Sequence, residues 1–558
     1  VTSGNGTTIT PTFTGGTGVI DQGIGAVTSG VAIAILPFST TTYTLTVTNA
    51  LGATATQTVT VTVVGAPQIT SFSVSPTQIV TGNSASLTAV FTGGDGFVNQ
   101  SVGAVTSGVA ATVSPTLNTT YTLTVTNLAG DSVTAQCTLT VTSSFASSGG
   151  ATISALTASA EIVTLGGQVF LTPTFAGGSG AISPAVGPVV SGVPVAVTPT
   201  AGTIYKLTVT DPGSDTIESR VFVDVAAPAG TLWDPRADLA ATKLADGRVL
   251  VTGGVNGTGV LAATEIVHPA YGGATRGPAM TTARTLHAAA TLADGRVLVL
   301  GGENGGAATS TAEIYDPAVE PVGAFAAALP MGTARAAASA VVLANGQVLV
   351  IGGRASGAAL ASCELFNPAT GVFTATGSLL DARSETTATL LTDGRVLVAG
   401  GLGSGGALAT CEIYAPATGL WTAAPSLATA RTQSTAVRLA DGSVLVAGGV
   451  NGVETGAMEA FVPALNGWVT LPSLAQARRA AASFVAADGR AYVLGGLVGS
   501  TAFAAVEAFD PLGGVVTAHT ALVAPRGRFA AVVTSAGVVV IGGFDGANAL
   551  GSFEIYVP

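Results

Sequence analysis

The chain is predicted to be all-β, with three tandem sandwich-type domains followed by a radial array of seven four-stranded sheets. Two internal repeats of different period carry that prediction. Composition agrees with it: charged residues are 9% of the 558, against roughly 25% in an average soluble domain, and hydrophobic residues are 47%. Low charge with many Val and Leu is the reverse of a disordered composition. The apolar runs are strand-sized, so no segment is expected to span a membrane. A net charge of −11 without a basic patch excludes nucleic acid as a partner.

The first repeat, about 80 residues long, occurs three times. "TFTGGTG" from Thr12 returns as "VFTGGDG" from Val90 and "TFAGGSG" from Thr174. "GAVTSGV" recurs from Gly25 and Gly103 and becomes "GPVVSGV" from Gly187, while "TTYTLTVTN" from Thr41 repeats from Thr119 and as "TIYKLTVTD" from Thr203. Thr or Ser alternates with Val, Leu or Ile between Gly-rich turns, the period of short antiparallel strands. The last motif resembles strand F of immunoglobulin-like domains, where a Tyr stands two residues before a core cysteine. Here Tyr43, Tyr121 and Tyr205 precede Leu45, Leu123 and Leu207, so apolar packing replaces the disulfide. The three units resemble the bacterial immunoglobulin-like modules found in tandem on surface proteins. That resemblance implies a rod without an active site.

The second and third units open with an extra strand, "QITSFSVS" from Gln68 and "TISALTAS" from Thr152. The first has no counterpart, because Val1 aligns with Val80. The expectation is a first sandwich with an open edge, filled by a neighbouring chain or by residues upstream of Val1. With neither an initiator Met nor a signal peptide, the chain is read as processed or as part of something longer. The predicted boundaries are 1–65, 66–143 and 150–226 for the sandwiches and 231–558 for the array.

From about residue 231 the period becomes about 48 residues. Gly doublets stand at 253/254, 301/302, 352/353, 400/401, 448/449, 495/496 and 542/543. A Glu follows each doublet: Glu265, Glu313, Glu364, Glu412, Glu459, Glu507 and Glu554. An Arg precedes each: Arg236, Arg284, Arg335, Arg383, Arg431, Arg478 and Arg526. Each Arg lies ten residues before its turn residue (Asp246, Asp294, Asn345, Asp393, Asp441, Asp488 or Ala536). "ADG" makes the turn between strands one and two, with Gly supplying positive φ. "RVLV" is strand two and "EIY" strand three; the aromatic segment after "PATG" is strand four. With the Gly doublets, the Tyr or Phe after Glu, and Trp421 and Trp468, the array resembles the seven-bladed kelch β-propeller. The last unit stops at "FEIYVP", after strand three. "GTLW", ending at Trp233, is therefore expected to complete it, with strand 231–233 closing the ring.

Each repeated Arg is expected to pair with a Glu as a buried structural ring, since a lone buried charge costs about 3–5 kcal/mol. The competing reading puts the Arg at one channel mouth, holding an acidic sugar or carboxylate. Arg276, Arg354, Arg438, Arg479 and Arg528 break the repeat. So do the loops after the doublets, such as "ENGGAATST" from Glu303 and "FDGANALGS" from Phe544. Function on a repeat scaffold sits where the repeat is broken, which makes Arg354, Arg438, Arg479 and Arg528 the ligand-facing candidates.

The kelch resemblance also extends to copper-radical oxidases of the galactose oxidase type, whose copper takes two His and two Tyr, one Tyr cross-linked to Cys. This chain has three His, at 268, 287 and 519, with no pair at ligand spacing. Tyr315, Tyr414 and Tyr556 fill repeat slots, and Cys363 and Cys411 read as small core residues. Three Cys, with Cys137, build no disulfide framework. No catalytic triad, phosphate loop, acidic calcium cluster or sialidase Asp-box is present. Asn5, Asn99, Asn118 and Asn256 match glycosylation acceptors.

The expectation is a non-enzymatic, secreted surface protein without cofactor or metal, a rod presenting a propeller for adhesion to a glycan or surface protein. The rival is a subunit of an extracellular fibre or sheath joined by strand complementation with another copy or chain. A copper-radical oxidase-like enzyme is the third reading.

Overall fold

The computed structural model describes residues 7–49, 52–80, 83–100, 102–127, 131–142 and 150–558. Val1 and the acceptor read at Asn5 lie outside them. Strands make up the regular structure apart from one 3-10 turn, Pro463–Leu465, among the described residues. No helix among them is long and apolar enough to cross a membrane. The architecture is all-β, with sandwich-like sheets followed by a propeller-like array, and it divides into two compact units.

One unit holds the described residues up to Thr157 together with Thr172–Pro194 and Tyr205–Val221. In the second repeat, strand Gln68–Ser75 pairs with Ala85–Thr92, which pairs with Ala110–Val113. The facing sheet runs Gly103–Val105, Asp95–Val98, Thr119–Thr126, Ser132–Thr142. Alternate side chains of Thr119–Thr126 are buried, as a two-residue period requires when one face meets a core. Val74 and Ile79 enter that core from the opening segment of this repeat. In the first repeat, burial is sparser. Strand Thr7–Ile9 pairs only with Ile33–Ile35 among the described residues, and Thr54–Val61 is exposed over nearly its whole length. The buried core of this repeat, among the described residues, is Ile20, Ile35 and Tyr43.

In the other unit, Ile162–Thr164 runs parallel to residues 224–226, and Ala226 bridges Thr275. The repeats of about 48 residues follow. Repeat one pairs Ala240–Lys243, Val249–Thr252, Thr264–His268 and Gly273–Arg276 in order, all antiparallel. Repeats two to six each make the same four-stranded sheet. The seventh has three strands, Ala530–Thr534, Gly537–Ile541 and Phe553–Tyr556, and Thr231 bridges Ser552 beside the last. Strand two is buried on both faces in repeats one to six, because each sheet is packed between two others. The first strands neighbour one another cyclically, that of repeat seven lying against that of repeat one.

Strand one runs towards the "ADG" turn and strand two returns, so the Gly doublet and the Arg segment share one end of each repeat. A two-strand hairpin follows the doublet in repeats one to six, for example Val255–Asn256 with Gly259–Val260, and Phe544 bridges Ala549 in repeat seven. This end is called the hairpin face below.

Candidate functional site

The seven repeated Arg are buried, at 0–1% exposure, and each reaches the Glu of its own repeat. The separations are 2.6 Å for Arg236–Glu265, 2.7 Å for Arg284–Glu313 and Arg335–Glu364, 2.6 Å for Arg383–Glu412, 2.5 Å for Arg431–Glu459 and 3.0 Å for Arg526–Glu554. Arg478 pairs with Glu507 likewise. Arg383 Nη1 also donates to the carbonyls of Gly400 at 2.7 Å and Thr410 at 2.8 Å, the two ends of the hairpin segment. Every other repeat has the same two bonds. The Glu accepts backbone N–H groups from the connection entering its repeat, as Glu412 does from Leu380 at 2.7 Å and Asp381 at 3.1 Å. The guanidinium is thus a clasp at the base of each hairpin. Burial pulls Arg284, Arg431, Arg478 and Arg526 below the ordinary arginine range, and their Glu partners oppose it.

Two residues after each Arg stands a ring that sequence reasoning missed. Asp238, Leu286, Ala337, Glu385, Gln433, Ala480 and Arg528 all have φ between 50° and 55°. A positive φ at a non-glycine residue is unfavourable and needs support. At six of these seven positions the support is a backbone hydrogen bond to the previous repeat. Leu286 N–H donates to Asp238 O at 3.2 Å, Ala337 to Leu286 O at 2.8 Å and Glu385 to Ala337 O at 3.1 Å. Ala480 donates to Gln433 O at 2.9 Å and Arg528 to Ala480 O at 3.1 Å, and Asp238 to Arg528 O at 3.0 Å, joining the last repeat to the first. The sequence signal was the fixed distance from Arg, because the residue types at this position range from Ala and Leu to Asp, Glu, Gln and Arg.

The repeat-breaking residues form a polar belt on this ring. Arg354 lies between Glu303 at 3.3 Å and Glu385 at 2.9 Å. Glu385 accepts Gln433 Nε2 at 2.9 Å, and Gln433 Oε1 accepts Arg479 Nη1 at 2.7 Å. Arg479 Nε then donates to Glu454 at 3.1 Å. Arg528 pairs separately with Asp238, Nε to Oδ1 at 2.9 Å, and lies over the Phe544 ring at 5.5 Å. Arg354, Arg479 and Arg528 are therefore brought to one face, each already neutralised by a carboxylate. Arg438 is not with them: it ends the first strand of repeat five, at the turn end, and donates to Leu390 O at 2.9 Å. Arg276 pairs with Asp234 at 3.4 Å and stacks on Trp233. Between repeats seven and one a cavity of about 580 Å³ opens on the hairpin face, lined by Arg528, Phe544, Val255 and Asn256 among others.

The histidines are scattered. His268 is buried with Nε2 3.0 Å from Thr275 Oγ1, and burial holds it down at about 4. His287 is buried with Nε2 2.8 Å from Thr252 Oγ1, and burial beside Arg284 holds it at about 3. His519 lies against Tyr492 and 3.3 Å from Thr517 Oγ1. Tyr315 donates to Val322 O at 2.9 Å, Tyr414 is 2.7 Å from Thr376 Oγ1, and Tyr556 is buried against Phe484 and Tyr492. Burial pushes the Cys363 and Cys411 thiols up to about 11, and all three Cys are free. No group of three or more His, Cys, Asp or Glu that could hold a metal occurs among the described residues. Of the acceptor asparagines, Asn99 caps Thr122 N at 2.7 Å and Asn118 bridges Val141 N and Leu156 O at 2.7 and 2.9 Å. Asn256 accepts from Thr258 N at 2.8 Å.

A family model, the kelch motif, matches residues 284–319, within repeat two. No curated protein matches the chain. Among solved structures it is similar to a novel fungal alcohol oxidase with catalytic diversity among the AA5 family, in complex with copper. Identity is 20% over 57% of this chain and 73% of that one, with a TM-score of 0.49. This finding corrects the expectation that the chain is not an enzyme, and with it the non-enzymatic adhesion, carbohydrate-binding and fibre-subunit readings. The physical reason is that one fold hosts many activities, so a chain without a familiar catalytic motif is not thereby excluded from catalysis. Copper itself does not fit the described residues: the His and Tyr side chains above are each engaged locally and converge nowhere. At this identity the likeness is one of fold, and it brings neither the metal nor the alcohol to this chain.

Proposed function

We propose that the seven repeats are the blades of one closed kelch-type propeller over 231–558, with 231–233 as the closing strand. The preceding segments 1–65, 66–143 and 150–226 are read as immunoglobulin-like sandwiches. The inter-repeat hydrogen bond from Asp238 to Arg528 and the bridge from Thr231 to Ser552 support closure. The nearly uncharged surface of the sandwiches supports a location outside the cell.

The protein works, in this reading, through the hairpin face, where a substrate or protein partner is met. One observation carries it. The backbone φ is left-handed, 50–55°, at all seven positions of the ring, yet the side chains there are Asp, Leu, Ala, Glu, Gln, Ala and Arg. A scaffold held constant under varied side chains is how repeat proteins build a binding face. The test is a turnover and binding screen on alcohols, glycosides and peptides, with and without added copper. The double variant Glu385→Ala/Gln433→Ala is compared with Arg438→Ala at the opposite end. Loss of signal in the double variant alone supports the reading; loss in Arg438→Ala alone moves function to the turn face and overturns it.

A further inference from the structure

We infer that the cavity between the last and first repeats is a seat for a peptide segment carrying one apolar side chain. The inference rests on the hairpin-face reading and gives that face a ligand class. The walls are the hairpin segments after the first and last Gly doublets, and Phe544, Val255 and Pro235 make much of the lining apolar. About 580 Å³ accommodates a branched or aromatic side chain with the peptide units beside it.

Charge removes the other classes. Arg528 donates to Asp238 through both Nε and Nη2, so the cation in the wall is cancelled by a carboxylate. An anion entering the cavity gains no free positive charge there, and a cation gains no free carboxylate. Hydroxyl-rich ligands need several free donors and acceptors, but Asn256 is nearly saturated. Its Oδ1 accepts Thr258 N at 2.8 Å and Thr258 Oγ1 at 2.6 Å, and its Nδ2 donates to Pro235 O at 3.0 Å.

Asn548 differs. Its backbone N–H donates to Asp545 Oδ1 at 2.7 Å, while its side-chain amide makes no hydrogen bond among the described residues. A carboxamide offers one donor edge and one acceptor, the complement of a peptide unit. An apolar floor with one free amide at the rim fits a neutral backbone with an apolar anchor.

The test titrates the full chain with N-acetyl-phenylalanine amide and N-acetyl-leucine amide by calorimetry and ligand-observed NMR. N-acetyl-glycine amide, glucose and acetate serve as comparison probes. The phenylalanine or leucine probe should bind at least about tenfold tighter than the glycine probe, the transfer value of a buried side chain. Ala547→Trp, on an exposed wall residue, should weaken it about tenfold with the melting temperature kept, and Asn548→Ala about fivefold. Competition by glucose or acetate, affinity unchanged in Ala547→Trp, or absent binding overturns the inference. If the peptides fail while Glu385→Ala/Gln433→Ala still alters the screen above, the face reading survives and this cavity assignment falls.

Discussion

Arg383 is charged and fully buried, yet its donors meet two carbonyls and a carboxylate. Removing it leaves Glu412 buried without its cation, so Arg383→Ala should destabilise by about 3–5 kcal/mol in urea unfolding. Arg383→Lys should recover little, because an ammonium cannot span three acceptors set for a planar fork. Arg438→Ala, with one carbonyl partner at an exposed position, should change stability by about 0.5 kcal/mol or less. The same scale sets the pH response. Burial pushes Asp224 up to about 6 and Glu320 up to about 7. Both hold a proton more tightly folded than unfolded, so their contribution is complete at acid pH and is lost as pH rises through 6 to 7. His268 and His287, held near 4 and 3, act oppositely: charging them opposes folding as pH falls below the ordinary imidazole range. The two effects nearly cancel between about pH 4 and 6, so denaturation midpoints should be highest at about pH 6.5 and fall most clearly below about pH 4. Asp224→Asn should raise stability at pH 8 by about 2 kcal/mol while changing it little at pH 4.

At the scale of elements, the Gly doublet is decided by space as well as by φ. A Cβ on Gly352 would sit 2.3 Å from Arg383 O of the next repeat, at φ +54°. Gly357, at the hairpin tip with φ +79°, has nothing within 4 Å of such an atom. Gly352→Ala should cost about 2–4 kcal/mol and Gly357→Ala about 1–2, measured by thermal unfolding of the two variants side by side. Strands two and three and the "ADG" turns were readable because burial on both faces demands continuous apolar runs and the turn demands Gly. The two-residue hairpin strands were not readable. They have no room to show alternation, and their position is set by Arg clasps closing on backbone carbonyls that no side chain announces.

At the scale of the whole molecule, Leu232 packs with Val539, Ile541 and Phe553, joining the start of the array to its end. Leu232→Ala should lower stability by about 2–4 kcal/mol, and limited proteolysis should then cut near the junction before the interior repeats. The first repeat is the contrasting case, with a core of three buried side chains among the described residues and an exposed strand Thr54–Val61. By itself the sequence determined the all-β class, the two repeat systems and the equal counts of seven Arg and seven Glu in one register, while the structure decided that each Arg meets the Glu of its own repeat. Period and equal counts are local properties that survive translation along the chain. Only the tertiary structure decided that Asp238, Glu385, Gln433 and Arg528 share a ring, and that Arg354 and Arg479 join it while Arg438 does not. Those positions are about 48 residues apart or more and become neighbours only through the packing of one repeat against another.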